Sequence, residues 1–142
     1  MKAQASVELL IILAITMTFL GAIIMSGTKQ LQHGQTMLRL TQARAAVNDI
    51  SHAADIVYKE GDGSVRKVRI TIPDGVAPER VFVDGRFVNI GVYVEGGDSD
   101  VNAMSIAELN GALPAQPGTY WIFVAAMEGC VVVGADISNL NC

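Results

Sequence analysis

Few side chains in this 142-residue sequence stand where they could do chemistry, and each points to a different kind. Glu8 is the single charge in the apolar run VELLIILAITMTFLGAIIM, residues 7–25. An ionised carboxylate costs a few kcal/mol at mid-bilayer and less at the interface. Glu8 therefore either rests at headgroup level, where it meets the positive end of a helix with Ser6 as N-cap, or pairs with a cation from another chain. Asp98, Asp100 and Asn102 offer oxygens at alternate positions, as calcium loops do. The glycine and distal glutamate of that pattern are missing, which favours a plain acidic loop. His33 and His52 lie about five helical turns apart, too far to share a metal ion. Gly61-Asp62-Gly63-Ser64 lacks the preceding strand and following helix of a phosphate loop. Arg66-Lys67-Val68-Arg69 is the densest basic cluster, yet it falls short of a nucleic-acid patch; its cations read as solvated or subunit-contact residues on a strand. No nucleophile–base pair is recognisable, so neither an enzyme nor a cofactor is expected. Cys130 and Cys142 form an even pair, expected to be a disulfide if the C-terminal part is exported and two thiols if it is cytoplasmic.

These residues need elements to hold them. Hydrophobic residues make up 51% of the chain and mean hydropathy is +0.38, which excludes a disordered tail protein. The formal charge of −4 gives no reason to expect a nucleic-acid partner. Residues 7–25 come close to the roughly 20 apolar residues that cross a hydrocarbon core as a helix. A cleaved secretory signal has a shorter apolar core and a small-residue site after it, and Met25-Ser26-Gly27 is a poor one. Beyond Gly27 the apolar positions Leu31, Leu38, Ala43, Ala46, Val47, Ile50, Ala54 and Val57 recur mostly at helical spacing, with charged and polar residues between. No proline interrupts residues 4–72, so the pattern predicts one helix from about Ala5 to Tyr58, roughly 80 Å long, ended by Gly61-Asp62-Gly63.

From Ser64 the period becomes two. Val68, Ile70 and Ile72 alternate with polar residues and lead to a turn at Pro73-Asp74-Gly75. Asp84-Gly85, between Val81-Phe82-Val83 and Arg86-Phe87-Val88, is a two-residue hairpin signal. Ile90–Val94 continues as a strand, Glu95–Asp100 reads as an acidic loop, and Val101–Leu109 fits either a strand or a short helix. Tyr120–Met127 and Cys130–Ala135 form a second hairpin around Glu128-Gly129. The expected class is α+β: a long N-terminal helix, hydrophobic over 4–27 and amphipathic over 28–60, packed on a small antiparallel β head over 64–142. Trp121, Phe123, Phe82 and Phe87 supply the bulk of that head.

The first residues, Met1-Lys2-Ala3-Gln4-Ala5-Ser6-Val7-Glu8, run directly into the apolar segment and resemble the class III signal peptide of archaeal type IV pilin-like proteins. Gln4, Ser6 and Glu8 match the Gln-x-Ser-x-Glu pattern, Lys2-Ala3 match its flank, and Ile12 stands where the family prefers leucine. The resemblance is sharp over about residues 2–25 and afterwards consists of layout alone. It implies that a prepilin peptidase cuts between Ala3 and Gln4, removing a leader of residues 1–3 and keeping the helix. Loss of Lys2 would take the charge from −4 to −5. Glu8 would become the fifth residue of the mature chain and neutralise the N-terminal amine of a neighbouring copy. Val7, Leu9, Leu10, Ile11, Ile12, Leu13, Ile15, Phe19, Leu20, Ile23 and Ile24 would form the core of a filament, with Gly21 and Ala22 allowing close approach.

The implied function is a structural subunit of a pilus-like surface filament, membrane-inserted as a precursor and then extracellular, with adhesion its expected use. Its partners would be identical subunits, the prepilin peptidase, a pilus assembly ATPase and its membrane platform. A simple positive-inside count disagrees, because Lys29, Arg39 and Arg44 lie beyond the helix and only Lys2 before it; the family's N-terminus-in insertion overrules that count. The rivals are a monomeric single-pass anchor for a binding domain, and a minor pilin or pseudopilin of a secretion system.

Overall fold

The computed structural model describes the backbone of residues 2–136 and the side chains of residues 7–136. It is α+β. One helix, α1, runs from Lys2 to Glu60, followed by β1 (Val65–Ile72), β2 (Val76–Val94), β3 (Gly97–Gly111), β4 (Gly118–Met127) and β5 (Cys130–Gly134). The sheet order is β1-β4-β5-β3-β2. The chain divides into two compact units, Met1–Gln35 and Thr36–Cys142.

The helix ends where glycine was expected to end it. Gly61 takes a positive φ of 94° and its N–H donates to the Val57 carbonyl at 3.1 Å. The Ser64 hydroxyl also reaches the Val57 carbonyl, at 2.7 Å, so a last-turn acceptor that the helix leaves open is satisfied. Gly63 and Ser64 then exchange backbone hydrogen bonds with Ala126, feeding the chain into β1 beside β4.

Alternation along the strands decides the core. Ile70 and Ile72 of β1, Val88, Ile90 and Val92 of β2, Ala107 and Leu109 of β3, Ile122 and Val124 of β4, and Val131 and Val133 of β5 are buried. They close on Ala43, Ala46, Val47, Ile50, Ala53, Ala54 and Val57 of α1 in one cluster. Two expectations are corrected here. The aromatic residues do not form the bulk of the core, for Trp121, Phe82 and Phe87 are all about half exposed. Trp121 neighbours Ile122 in the strand and so faces the other side of the sheet; the space between helix and sheet is filled by alanine, valine and isoleucine with Leu109 and Leu113. Within residues 36–60 the packing face is also shorter than expected, since Met37 and Leu38 are exposed and burial begins near Ala43.

β2 is one extended run, yet it reverses on itself as Asp84-Gly85 predicts. The Tyr93 N–H donates to the Gly75 carbonyl at 2.7 Å, and Asn89 Nδ2 donates to the Arg80 carbonyl at 2.7 Å. Those contacts centre the reversal on Asp84-Gly85, where Gly85 has a φ of 58°. Glu95–Asp100 is not a loop: Val94 pairs with Gly97 across a tight Glu95-Gly96 turn, and Asp98 and Asp100 lie within β3. Val101–Leu109 is strand. The expected second hairpin is present, with Met127 opposite Cys130. The sheet is mostly antiparallel rather than wholly so, because β5 lies parallel to β3.

At the β2–β3 ladder the register shifts between Gly85 and Phe87, leaving β3 short of partners near Ser105. The helix fills that gap. Ser51 Oγ donates to the Met104 carbonyl at 2.8 Å, while Asp55 Oδ1 accepts from Ser105 Oγ at 2.6 Å and from the Ile106 N–H at 2.9 Å. Replacing Asp55 with alanine would leave the hydroxyl of the buried Ser105 and the Ile106 N–H without their shared acceptor. A loss of about 2–3 kcal/mol of stability is expected, measured by denaturant unfolding of the detergent-solubilised chain through Trp121 fluorescence.

Candidate functional site

The long N-terminal helix carries the features with most to explain. Its richest 18-residue stretch has a mean hydropathy of 2.5, long and apolar enough to cross a membrane. From Val7 to Met25 the large apolar side chains are each 52–69% exposed, on every face of the helix, with no polar stripe between them. A helix apolar all round is one that ends up surrounded by apolar matter. Its two threonines are suited to that setting: Thr16 and Thr18 donate to the carbonyls of Ile12 and Ala14, so neither hydroxyl needs water. Around Gly21 no other atoms crowd the position of a Cβ, leaving a notch in the apolar surface.

Glu8 sits at the start of this surface, exposed and the only charge within it. The helix already includes Lys2, so Ser6 lies inside it and not at an N-cap; the N-cap placement of Ser6 and the start at Ala5 are both corrected. Glu8 then stands beyond the first turn, where helix-end stabilisation has weakened. Ala3 and Gln4 share the helical backbone, but the side chains of Ala3, Gln4 and Ser6 lie outside the described ones. The apolar residues expected to make a filament core, Val7, Leu9, Leu10, Ile11, Ile12, Leu13, Ile15, Phe19, Leu20, Ile23 and Ile24, are all exposed.

In the head, the carboxylates that could have held calcium are already engaged. Arg80 Nη1 donates to Asp100 Oδ2 at 2.9 Å, and Arg80 Nε lies 3.8 Å from Asp98 Oδ2. Arg80 reaches Asp100 across Gly91, where a Cβ would come within 2.5 Å of the Arg80 Cβ. Asn102 is the register partner of Asn89 and follows these acids along the strand. His33 and His52 are exposed on the helix, and no three potential metal ligands gather among the described residues. Gly61–Ser64 follows a helix and precedes a strand, the reverse of a phosphate loop. Arg66 pairs with Glu60 at 2.8 Å, and Lys67 lies over the rings of Trp121 and Phe123. Cys130, half-buried, opens β5. Cys142 is outside the described residues, and the expected Cys130–Cys142 pair with it.

Sequence reading missed the Tyr93–Glu79 contact and the Ser51–Asp55 anchor. The second had a signal, two polar residues four apart on the apolar face of the helix. The first arises because β2 doubles back, bringing Tyr93 Oη to donate to Glu79 Oε1 at 2.9 Å. Hydrogen bonds from its own backbone N–H and from Tyr93 hold the Glu79 carboxyl below its usual range, and the same bond holds the Tyr93 phenol above 10.0. The Glu79 contribution is therefore present above the ordinary glutamate value and lost as pH falls through its lowered one. The Tyr93 contribution is present at neutral pH and lost as pH rises from 10.0 through its raised value. In Tyr93→Phe the Glu79 titration, followed by carboxyl NMR shifts, should move up towards an ordinary glutamate; an unchanged midpoint would refute the bond.

No family model, curated protein or solved structure matches the chain, so the reading of its site rests on its own residues.

Proposed function

We propose that the chain is a structural subunit of an archaeal type IV pilus-like surface filament, assembled through its N-terminal helix. The observation that carries this reading is the wholly exposed apolar helix surface from Val7 to Met25, interrupted by one acid. Lipid covers that surface in the precursor, and identical helices cover it after extraction. Burying a large apolar side chain against others instead of water is worth about 1.5–3 kcal/mol, so a bundle of such helices resists dissolution. The Gln4, Ser6 and Glu8 pattern supplies the processing site, with cleavage between Ala3 and Gln4 by a prepilin peptidase.

The new N-terminal amine and the Glu8 of a neighbour then lie in the same apolar bundle. Each is costly to bury alone and far less costly together, which fixes the register at which a subunit joins. The β head faces the exterior, where the Cys130–Cys142 disulfide ties the chain end to the sheet. The working role is mechanical, with adhesion its use, and no catalysis is assigned to the head. A pilus assembly ATPase and its membrane platform would drive extraction.

Intact-mass measurement on surface filaments sheared from cells tests the whole reading. The expected product has lost residues 1–3, retains residues 4–25 and dominates the sheared fraction. An intact N-terminus on a chain that stays monomeric in the membrane would favour an anchored binding domain instead.

A further inference from the structure

One strip on the face of the sheet turned away from the helix is buried. Ile122, Val124 and Ala126 of β4 and Val131 and Val133 of β5 pack on the helix side, so Ala125 and Val132 between them point the other way. These two are register partners and are only 2% and 1% exposed. They form a small apolar cluster of their own, and among the described residues only Met127 and Cys130 are packed against it. Their flanking residues do not explain that burial. Val132 has Ala125 on one side and Asn110 on the other, with Cys130 and Gly134 before and after it on the same face. Alanine and glycine are too small to shield a valine, and Asn110 is itself exposed. Val65, the β1 partner of Ala125, and Trp121, further along β4, are both about half exposed on this face. A strip buried between exposed neighbours has something lying over it.

The chain itself offers the cover. Ile137, Ser138, Asn139, Leu140, Asn141 and Cys142, outside the described residues, follow Asp136 and so start from the Gly134 end of β5. β5 already has β3 on one side and β4 on the other, which leaves no room to extend the sheet beside it. Returning from Gly134 to Cys130 across the face means covering about 13 Å. Residues 137–142 reach about 20 Å when extended, enough to lay Ile137 and Leu140 over the strip and bring Cys142 to Cys130. Apolar contact alone does not hold such a segment. Ordering its backbone costs more than burying two apolar side chains returns, so the cross-link is required.

We propose that residues 137–142 turn back across the outer face of β5 and cover Ala125 and Val132, held there by the Cys130–Cys142 bond. This rests on the extracellular, oxidised head of the filament reading and goes beyond it by giving the segment a seat. The bond forms by exchange with an oxidising disulfide outside the membrane. Two electrons and two protons leave the Cys130 and Cys142 thiols and convert that disulfide into two thiols. Reduction reverses the exchange and uncovers the strip, so this apolar patch is open only in a reduced head.

The test is hydroxyl-radical footprinting of the detergent-solubilised full chain, with peptide mapping of Met127 and Leu140 against the exposed Met104 and Ile106. Met127 should be oxidised at least about threefold more slowly than Met104, and Leu140 more slowly than Ile106. Dithiothreitol, or Cys142→Ser, should bring Met127 up to the Met104 rate while circular dichroism shows an unchanged sheet. Leu140→Ser with both cysteines kept should raise Met127 oxidation part of the way, which a bond without a seated segment would not do. Leu140 as reactive as Ile106 in the oxidised chain would overturn the proposal. So would Met127 protection that reduction leaves untouched, or iodoacetamide uptake by Cys130 and Cys142 without reduction. Protection of Met127 in sheared filaments but not in the solubilised chain would assign the cover to a second copy and overturn it too. A seated segment on a chain that never reaches surface filaments would sink the filament reading and leave this contact standing.

Discussion

Replacing Glu8 with glutamine should leave the chain in the membrane and remove it from surface filaments. Insertion becomes easier, since the one charge in residues 7–25 is gone and a mid-bilayer carboxylate costs about 2.5–3.5 kcal/mol. On the proposed filament, assembly would suffer, because the amine of an adjoining subunit would then be buried in an apolar bundle with no counter-charge. Breaking a buried pair by removing one partner costs about 3–5 kcal/mol, enough to lower filament yield by at least about tenfold. The measurement is the ratio of sheared-filament to membrane-bound subunit, with processing followed by intact mass so that failed cleavage is not mistaken for failed assembly. Glu8→Asp, which keeps the charge on a shorter arm, should recover part of the yield. Normal filaments from Glu8→Gln would remove the charge-matching role.

The largest expected effect within the head comes from Gly111→Ala. Gly111 is the register partner of Val133 in the parallel β3–β5 ladder and has a φ of 138°, where side chains are strained. A Cβ built there would lie 1.9 Å from the Val133 carbonyl oxygen, which is backbone and cannot swing aside. The same oxygen accepts the Ala112 N–H at 3.1 Å, so moving it away breaks the pairing that joins β3 to β5. Those two strands are the seam between β1-β4-β5 and β3-β2 in the sheet. A loss of at least about 4 kcal/mol is expected, seen as a drop of about 15 °C or more in the midpoint of thermal unfolding for a domain of this size. Gly91→Ala, whose Cβ would lie 2.5 Å from the Arg80 Cβ, should also destabilise, because that atom is fixed by its backbone and the two segments of β2 must move apart, but it lacks the added strain of a positive φ. A Gly111→Ala head as stable as the parent would mean that β3 and β5 are not joined as described.

The sequence by itself determined the elements whose signals are local. Uninterrupted helical spacing through Val57 with Gly61 after it fixes the helix and its end, because each hydrogen bond there joins residues four apart. Asp84-Gly85 and Glu128-Gly129 mark reversals for the same reason: a turn is a property of a few adjacent residues. The unbroken apolar run with its single acid is likewise legible at once, as is its need for apolar surroundings, since hydropathy needs no partner to be counted.

What the tertiary structure decided are the matters set by distance across the chain. Alternation says that Trp121 and Ile122 face opposite ways, but only the packing of an alanine-lined helix shows which of the two faces is inside. Asp98 and Asp100 read as a loop with spare oxygens until β2 folds back and lays Arg80 over Gly91 onto them. Asp55 looked like one polar residue among several on the helix, yet it bonds Ser105 and Ile106, which lie fifty residues further along. Pairings of that kind depend on strand order and register, and neither is encoded in any short window of residues.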